Sequence, residues 1–458
     1  MLMEKIVGLC KRRGFVFPGS EIYGGLANSY EYGPLGVELK KNIQDEWWNT
    51  FVRRRSDMVG LDSSIILHPK VWEASGHVAG FSDAMVDCKK CQTRTRADHL
   101  IENFLESKGK PMSVEGKTVE ELSDLIEKNN IPCPTCGKFD WTPVRKFNLL
   151  FETHIGIVPE AQSKAYLRGE TAQGIFVSFK NIIDSSRVTL PFGVGQLGKS
   201  FRNEITKGNF IFRTLEFEQG EIEYFFDPEA DDWKKLFESW KESVWKFVIK
   251  NLNVREENLR WREHGDEERS FYSKRTEDLE YQFPFGFKEL WGLAYRTDYD
   301  LTQHQKYSGV DLFYVDQVSG KKIVPHVIEP AVGVNRLMAM VILDSYAEDG
   351  ERIVLKLPPR LAPYKAAVFP LLKNKPELVE KARGIYENLR KKFMVAWDDR
   401  GNIGKRYYAQ DEIGTPYCIT IDFDTLEKGD VTVRDRDTAQ QERIKISDLE
   451  KFLEKKLE

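Results

Sequence analysis

Three sets of residues in the 458-residue chain have the types and spacing to do chemistry. The first lies in "PFGVGQLGKSFRNE", Pro191 to Glu204. Gly193, Gly198, Lys199 and Ser200 fit the phosphate-loop pattern G-x-x-x-x-G-K-S, and Gly193, Gly195 and Gly198 fit the dinucleotide pattern G-x-G-x-x-G. Either would cradle phosphates on backbone amides at a helix N-terminus. The second set follows at once: Arg202, Glu204, Arg213, Phe217, Gln219 and Glu221 mix cations, a ring and acceptors within twenty residues. The third is two C-x-x-C pairs, Cys88/Cys91 and Cys133/Cys136. In a chain with no secretion signal such pairs point to metal before disulfides.

What these residues can do depends on the elements that carry them. A phosphate loop needs a buried apolar strand before it and a helix starting at its Lys-Ser. Here the upstream run, "SSRVTLPFGVG", is short and broken by Pro191. Downstream, "FRNEITKGNFIFRTLEFEQGEIEYFF" alternates β-branched and aromatic residues with charges. That predicts two antiparallel arms joined by a turn on Lys207, Gly208 and Asn209. The partner segment a phosphate loop would need, "MVILD" ending at Asp344, belongs to a helical face through Val334, Leu337, Met338, Val341 and Ile342. Both nucleotide patterns fail on context. On the arms, residues two apart share a face, so Arg202 and Glu204 project together from the first. Arg213, Phe217, Gln219 and Glu221 do so from the second. Arginines for phosphates, a ring to stack a base and a carboxylate to accept from an adenine amino group would make a nucleotide grip. A solvated strand face laced with charge pairs has the same pattern.

The chain is 41% hydrophobic and 31% charged with net charge −4, the composition of an ordinary globular protein that neither announces nor excludes a nucleic-acid partner. Its length allows two or three domains. It has no apolar run of about 18 residues and no signal-peptide core, so a cytoplasmic protein without a membrane partner is expected. The proline-rich stretch "LKLPPRLAPYK" divides residues 1–355 from 356–458. Beyond it, strands alternate with helices, which predicts an open α/β sheet. Before it, short strands are broken by long helices. One of these, "DDWKKLFESWKESVWKFVIKNL", carries Trp233, Leu236, Phe237, Trp240 and Val244 on one core-facing stripe. Residues 87–145 read as an insertion: C-x-x-C, two helical segments, then "PCPTCG".

With these pieces in order, the chain resembles the class II aminoacyl-tRNA synthetases. F-R-x-E at Phe201 to Glu204, a turn, then R-x-x-x-F at Arg213 to Phe217 is similar to their motif 2 (about 195–226). "EPAVGVNRLMAMVI", with Gly333 and Arg336, is similar to motif 3 (about 325–345), and "YEYGPLGVELKKNIQDEWWNTF", with Pro34, to motif 1 (about 30–55). "RGETAQGIF", "LAYRTDYDL" and "IGKRYYAQDEIGTPYCITID" resemble the dimeric glycyl-tRNA synthetases in particular, so the likeness spans nearly the whole chain. It implies an α+β fold: a class II antiparallel-sheet catalytic domain over 1–355, then an α/β anticodon-binding domain over 356–458. It implies a homodimer that attaches glycine to tRNA with ATP through a glycyl-adenylate. The alternatives are a synthetase for another small amino acid and a non-catalytic binding paralogue.

The resemblance also assigns residues. Arg202 and Arg336 would be catalytic, Arg202 clamping the α-phosphate and the glycine carboxylate. Arg213 and Arg336 would hold the outer phosphates, Arg336 and Phe217 would sandwich adenine, and Glu204 would read its amino group. Asn203, Phe212, Gly333 and the pair Glu289–Leu290 complete the expected ATP and magnesium site. Glu170, Glu221 and Glu329 would take glycine's ammonium, with Arg96 and Arg296 facing the substrate and Phe217 and Gly333 shared between the two sites. Ala331 stands where the family has a serine. Strict alternation in "FKELWGLAYR" puts Glu289 and Arg296 on opposite faces, so a bulge is expected, at Gly292. Four thiolates at Cys88, Cys91, Cys133 and Cys136 suit a tetrahedral zinc. Cys10 and Cys418 are read as packing residues and His77 as structural. Lys207 and Asn209 are candidates for the tRNA acceptor end, and Lys405, Arg406, Arg434 and Arg436 for the anticodon face.

Overall fold

The computed structural model describes residues 2–457 apart from 115, 157–162, 205–207, 267, 271 and 351. Its centre is a seven-stranded sheet of β1 (Met58–Gly60), β2 (Phe192–Phe201), β3 (Glu216–Phe226), β4 (Leu259–Glu263), β5 (Arg275–Phe283), β6 (Gly286–Thr297) and β7 (His326–Gly333). The spatial order is β4-β5-β6-β7-β3-β2-β1. All neighbours are antiparallel except β1, which runs parallel to β2 at the edge. This is the expected α+β, mainly antiparallel architecture.

Alternation along β3 gives the sheet two unlike faces. Ile222, Tyr224 and Phe226 point into a core shared with Leu39, Ile43 and Trp47 of the helix Pro34–Trp48, Phe237, Trp240 and Val244 of Trp233–Lys246, and Leu337, Met338 and Val341 of Val334–Ser345. Each such apolar side chain, fully buried, contributes about 1.5–3 kcal/mol relative to exposure. The expected tryptophan stripe is therefore core. The other face is closed at one end only, where Ile175, Phe176 and Phe179 of the helix Ala172–Ser185 cover Val194 and Phe225. Beyond that plug, Glu223, Glu221, Gln219 and Phe217 continue the same face toward an open cleft.

The glycine-rich stretch is strand β2, not a phosphate loop. Its glycines answer close packing: a Cβ on Gly193 would lie 2.3 Å from Met58 Sδ, on Gly195 2.7 Å from Val52 Cγ2, and on Gly198 2.2 Å from Arg168 Nη2. The expected tight hairpin is wrong in one respect. The arms part after the Phe201–Glu216 pair; residues 202–204 and 208–215 lie outside the ladder, and the latter contain a 3-10 turn, Phe210–Phe212. Arg202, Glu204 and Arg213 sit on this loop rather than on strand faces. Asn28 anchors it, with its side-chain oxygen accepting from the Gly208 amide (3.0 Å) and its carbonyl from the Leu215 amide (2.9 Å). Lys207, one of the expected turn residues, lies outside the described residues.

Two further units attach to this frame. Ser82–Asp87 pairs with both Arg94–Arg96 and Arg145–Asn148, enclosing the helices Ala97–Ser107 and Val119–Lys128 around their own core of Leu100, Ile101, Leu122 and Ile126. Past the prolines, Val395–Trp397, Ala366–Pro370 and Tyr417–Ile421 run parallel, and Asp430–Asp435 and Gln441–Lys445 extend the sheet antiparallel. The short helix Phe423–Lys428 and the edge strand Gln441–Lys445 were not anticipated from sequence. This unit is pinned to the rest by Arg12 and Arg13, both on the Glu412 carboxylate, and by Arg352 Nη1 on Asp411 (3.2 Å).

Candidate active site

A cavity of about 170 Å³ opens above β3 and β7. It is lined by Arg202, Glu204, Phe212, Arg213, Phe217, Glu289, Gly333 and Arg336, eight of the ten residues expected to hold ATP. Arg202 Nε donates to the Gly169 carbonyl (3.0 Å), and its guanidinium lies between the rings of Phe81 (5.1 Å) and Phe217 (5.3 Å). Arg213 reaches Glu204 at 3.6 Å. Gly333 caps the helix Val334–Ser345, which puts Arg336 in its first turn beside unpaired amides suited to anions. Arg336 stacks on Phe212 at 4.4 Å and pairs with Glu289 at 2.9 Å, a contact that holds Glu289 below the usual carboxylate range. The two remaining ATP candidates take other positions. The Leu290 side chain is in the core, and Asn203 is exposed with its amide bonded to the Leu149 carbonyl (2.8 Å).

Glu289 and Arg296 do reach one face, through a bulge two residues earlier than expected. Leu279 pairs with Trp291 and Glu280 with Glu289, leaving Leu290 as the extra residue. From Glu289 the site face then continues through Gly292 and Ala294 to Arg296. A second irregularity, where Tyr295 pairs with Ile328 and Thr297 with Val327, leaves Arg296 itself unpaired at the strand end.

Next to the cavity lies a buried acidic network. Arg296 donates from Nε and Nη2 to both oxygens of Asp300 (2.9 Å each) and from Nη1 to Glu329 (2.9 and 3.0 Å). Gln173 Nε2 donates to Glu170 (3.0 Å) and Asp300 (2.9 Å). His77 Nε2 stands 3.3 Å from Glu170 and its Nδ1 2.8 Å from Ser75 Oγ. Glu221 accepts from the Thr171 amide (2.8 Å), the Thr171 hydroxyl and Gln219 Nε2 (2.9 Å). Environment splits the carboxylates. Burial opposes the charge on Glu170, but His77 and Arg296 outweigh it and hold the group well below its usual range. Burial and the neighbouring Glu170 raise Glu221. Burial, with Glu221 and Glu170 adding to it against Arg296, pushes Glu329 up to about 8.

The expected glycine residues Glu170, Glu221, Arg296 and Glu329 thus converge, with Phe217 and Gly333 at the join to the larger cavity. Ala331 sits between Glu221 and Gly292 in the sheet and lines that cavity. Arg96 stands apart from the acids, paired with Asp83 (3.0 Å) and Asp98 (3.0 Å) and raised by them and by Glu204 against the cost of burial. Sequence reasoning missed Gln173, Asp300 and Glu223, and read His77 as merely structural. Asp300 lies four residues after Arg296 across a strand-to-helix junction, a spacing with no standard signature.

Sequence comparison accounts for this arrangement. A model described as the tRNA synthetase class II core domain (G, H, P, S and T) matches residues 157–346, and an anticodon binding domain matches residues 365–456. A protein of Clostridium beijerinckii named glycine–tRNA ligase is 56% identical over 463 residues, covering 100% of this chain and 98% of the relative. Those of the same name from Clostridium perfringens and Caldanaerobacter subterraneus subsp. tengcongensis are 54% and 53% identical, over 100% and 99% of this chain and 98% of each relative. The chain belongs to the glycine–tRNA ligase family. A model described as glycyl-tRNA synthetase insertion domain 1 also matches residues 109–149.

That family model covers Cys133 and Cys136, and the fold brings Cys88 and Cys91 to them. All four Sγ atoms lie within 4.8 Å of one another, with Cys88–Cys136 and Cys91–Cys133 at 3.6 Å. Thiolates bound at about 2.3 Å to a tetrahedral ion would stand about 3.8 Å apart, so the donor set fits zinc. Each pair forms a tight knuckle in which the residue after the second cysteine has positive φ, Gln92 at 59° and Gly137 at 70°. Cys10 and Cys418 are buried in apolar surroundings that push their thiols up.

Three of the four anticodon-face candidates are internal in this member of the family. Arg406 donates to the Pro370 (2.6 Å) and Gly401 (3.0 Å) carbonyls, Arg434 makes a two-pronged pair with Asp411 (2.8 and 3.0 Å), and Arg436 donates to Leu357 and Gly414. Their guanidiniums saturate backbone carbonyls and a buried carboxylate, which an alternating sequence cannot reveal. Lys405 is exposed.

Proposed function

We propose that the chain joins glycine to its tRNA in two steps, first forming glycyl-adenylate from glycine and ATP, then passing the glycyl group to the terminal adenosine. The observation that carries this reading is one continuous site: an arginine-rich cavity meets a buried acidic pocket, and Arg202 lies at their junction. Attack of the already ionised glycine carboxylate on the α-phosphorus needs positioning and charge neutralisation but no general base. The absence of a nucleophile–base pair from the expected site residues suits that chemistry.

In this reading Arg202 bridges the α-phosphate and the glycine carboxylate, while Arg213 and Arg336 hold the outer phosphates. Phe217 and Arg336 flank adenine and Glu204 accepts from its amino group. Glu289 would hold magnesium, a hard cation that would neutralise triphosphate charge. Glu170, Glu221 and Glu329 take the ammonium, and their crowding would leave little room for a methyl group; exclusion by shape discriminates strongly against larger amino acids. A structural zinc on the four cysteines would brace the insertion. Residues 1–355 act as catalytic domain and 356–458 as anticodon-binding domain, with Asn209 of the motif 2 loop facing the acceptor end.

A homodimer is in keeping with the apolar side chains near motif 1, where Ile22, Tyr23 and Leu26 are 88%, 87% and 60% exposed. No helix among the described residues is long and apolar enough to cross a membrane. ATP–pyrophosphate exchange measured with each of the twenty amino acids tests the reading. Exchange with glycine above all others is expected. Greater exchange with alanine or serine would reassign the substrate, and exchange with none would leave a binding paralogue.

A further inference from the structure

One acidic residue at the edge of this pocket has no role in the proposed reaction. Glu223 lies on β3 between Glu221, which faces the pocket, and Phe225, which plugs the far end of the face. It is 0% exposed, and neither carboxyl oxygen has a hydrogen-bond donor among the described residues. The strand pairing fixes its neighbour. Tyr224 pairs with Ile328, so the preceding Glu223 lies across the sheet from Glu329. The charged groups that face Glu223 are Glu329 on β7, Arg296 on β6, Glu221 on its own strand, and Asp300 on the helix Tyr299–Ser308. Arg296, the one cation among them, is already committed to Asp300 and Glu329.

Two carboxyls placed side by side in an apolar setting cannot both ionise without a counter-charge, and one of them keeps a proton. We propose that Glu223 is a positioning residue that shares a single proton with Glu329 in the empty pocket and surrenders it when the glycine ammonium docks. The inference rests on the glycine pocket proposed above. In the empty site the Glu223 O–H donates to Glu329, which satisfies the orphaned carboxyl and fixes the face that Glu329 turns to the substrate. Arrival of the ammonium supplies the missing positive charge. The proton then leaves to solvent, and both carboxylates are ionised around the substrate. Burial and Glu329 both drive Glu223 toward the neutral acid, in keeping with this exchange.

Glycine binding is then coupled to proton release. Below the pair's titration point, the KM for glycine should fall by up to about tenfold for each unit of rising pH. Glu223→Gln is the informative variant, because an amide donates to Glu329 permanently and has no proton to release. Glycine KM in ATP–pyrophosphate exchange, measured from about pH 6 to about pH 9, should lose most of its slope in E223Q relative to the wild type. His77 is present in both proteins, so it cannot account for a difference between them. Calorimetry on the wild-type protein, titrating glycine in two buffers of different ionisation enthalpy, gives the released protons directly and needs no variant to fold. Release of close to one proton, absent in E223Q, is the expected result. Glycine binding with no proton release, or equal slopes in the two proteins, overturns the proposal while leaving the pocket assignment standing. No glycine binding or exchange at all would overturn both.

Discussion

Lys199 completes the phosphate-loop pattern and Arg202 begins the motif 2 chemistry, only three residues apart, so alanine substitution at each separates the two readings. Lys199 is 48% exposed and pairs with Glu216, which is 51% exposed. An exposed pair of this kind contributes about 0–1 kcal/mol, so Lys199→Ala should change adenylate formation less than about fivefold. Arg202 is different. Only its Nε is engaged, by the Gly169 carbonyl at 3.0 Å, and two rings hold the guanidinium in the cavity. Its terminal nitrogens make no hydrogen bond among the described residues, which leaves them for the charge that develops at the α-phosphorus. Losing one pre-positioned donor to such a charge costs about 2.7–4 kcal/mol, or about 10²–10³ in rate. Arg202→Ala should therefore lower the exchange rate by that factor with little change in melting temperature. Arg202→Lys should recover little, since an ammonium cannot bridge two anions as a planar fork does. The assay is glycine-dependent ATP–pyrophosphate exchange at saturating substrates. If Lys199→Ala fell a hundredfold while Arg202→Ala stayed near wild type, the phosphate-loop reading would return and the argument from context would be refuted.

Other perturbations reach the zinc site, the buried arginine and the interdomain contact. Cys133→Ser removes one of four converging thiols, so metal analysis should find zinc lost from a protein that otherwise carries about one ion per chain, with a lower melting temperature. Arg296→Lys keeps the charge but can reach only one of two carboxylates; urea denaturation should show a loss of about 2–3 kcal/mol, and glycine KM should rise with ATP KM little changed. Burial opposes ionisation of Glu412, but Arg13 and Arg12 hold it below its usual value. A carboxylate lowered on folding stabilises above its unfolded value and ceases to as pH falls through its folded one. Thermal melts of Glu412→Gln should therefore lie below wild type by an amount worth at most about 1 kcal/mol near pH 7, with the difference shrinking in acid.

Much of the site was legible because the chemistry resides in charged residues at strand ends and turns, where sequence order and spatial order agree. Arg202, Phe217, Gly333 and Arg336 flank the sheet in the sequence they have in the chain. What failed to read out has a common physical origin: long-range contacts decide it. The parting of the motif 2 arms after Phe201 depends on Asn28, far upstream, supplying the hydrogen bonds a tight turn would have made. The anticodon candidates Arg406, Arg434 and Arg436 look like surface cations until carbonyls from distant segments close around them. Glu223 continues the alternation of a solvated strand, yet it is fully buried among Glu329, Arg296 and Asp300, which distant segments bring to it.

The extra residue at Leu290 makes the β6 strand behave like a reading frame with a period of two. Upstream of it, even steps from Glu289 would carry the ATP side; downstream, even steps from Gly292 carry the acidic pocket. Drawn into the ladder as an ordinary pleated residue, Leu290 would turn Trp291, Leu293 and Tyr295 out toward substrate and drive Gly292, Ala294 and Arg296 into the apolar core, although every residue of both sites would still be present. Deleting Leu290 outright would instead leave Glu289 and Arg296 on one face by plain alternation, so the two halves of the site stay in phase only while this leucine, which touches neither substrate, is kept out of the pleat.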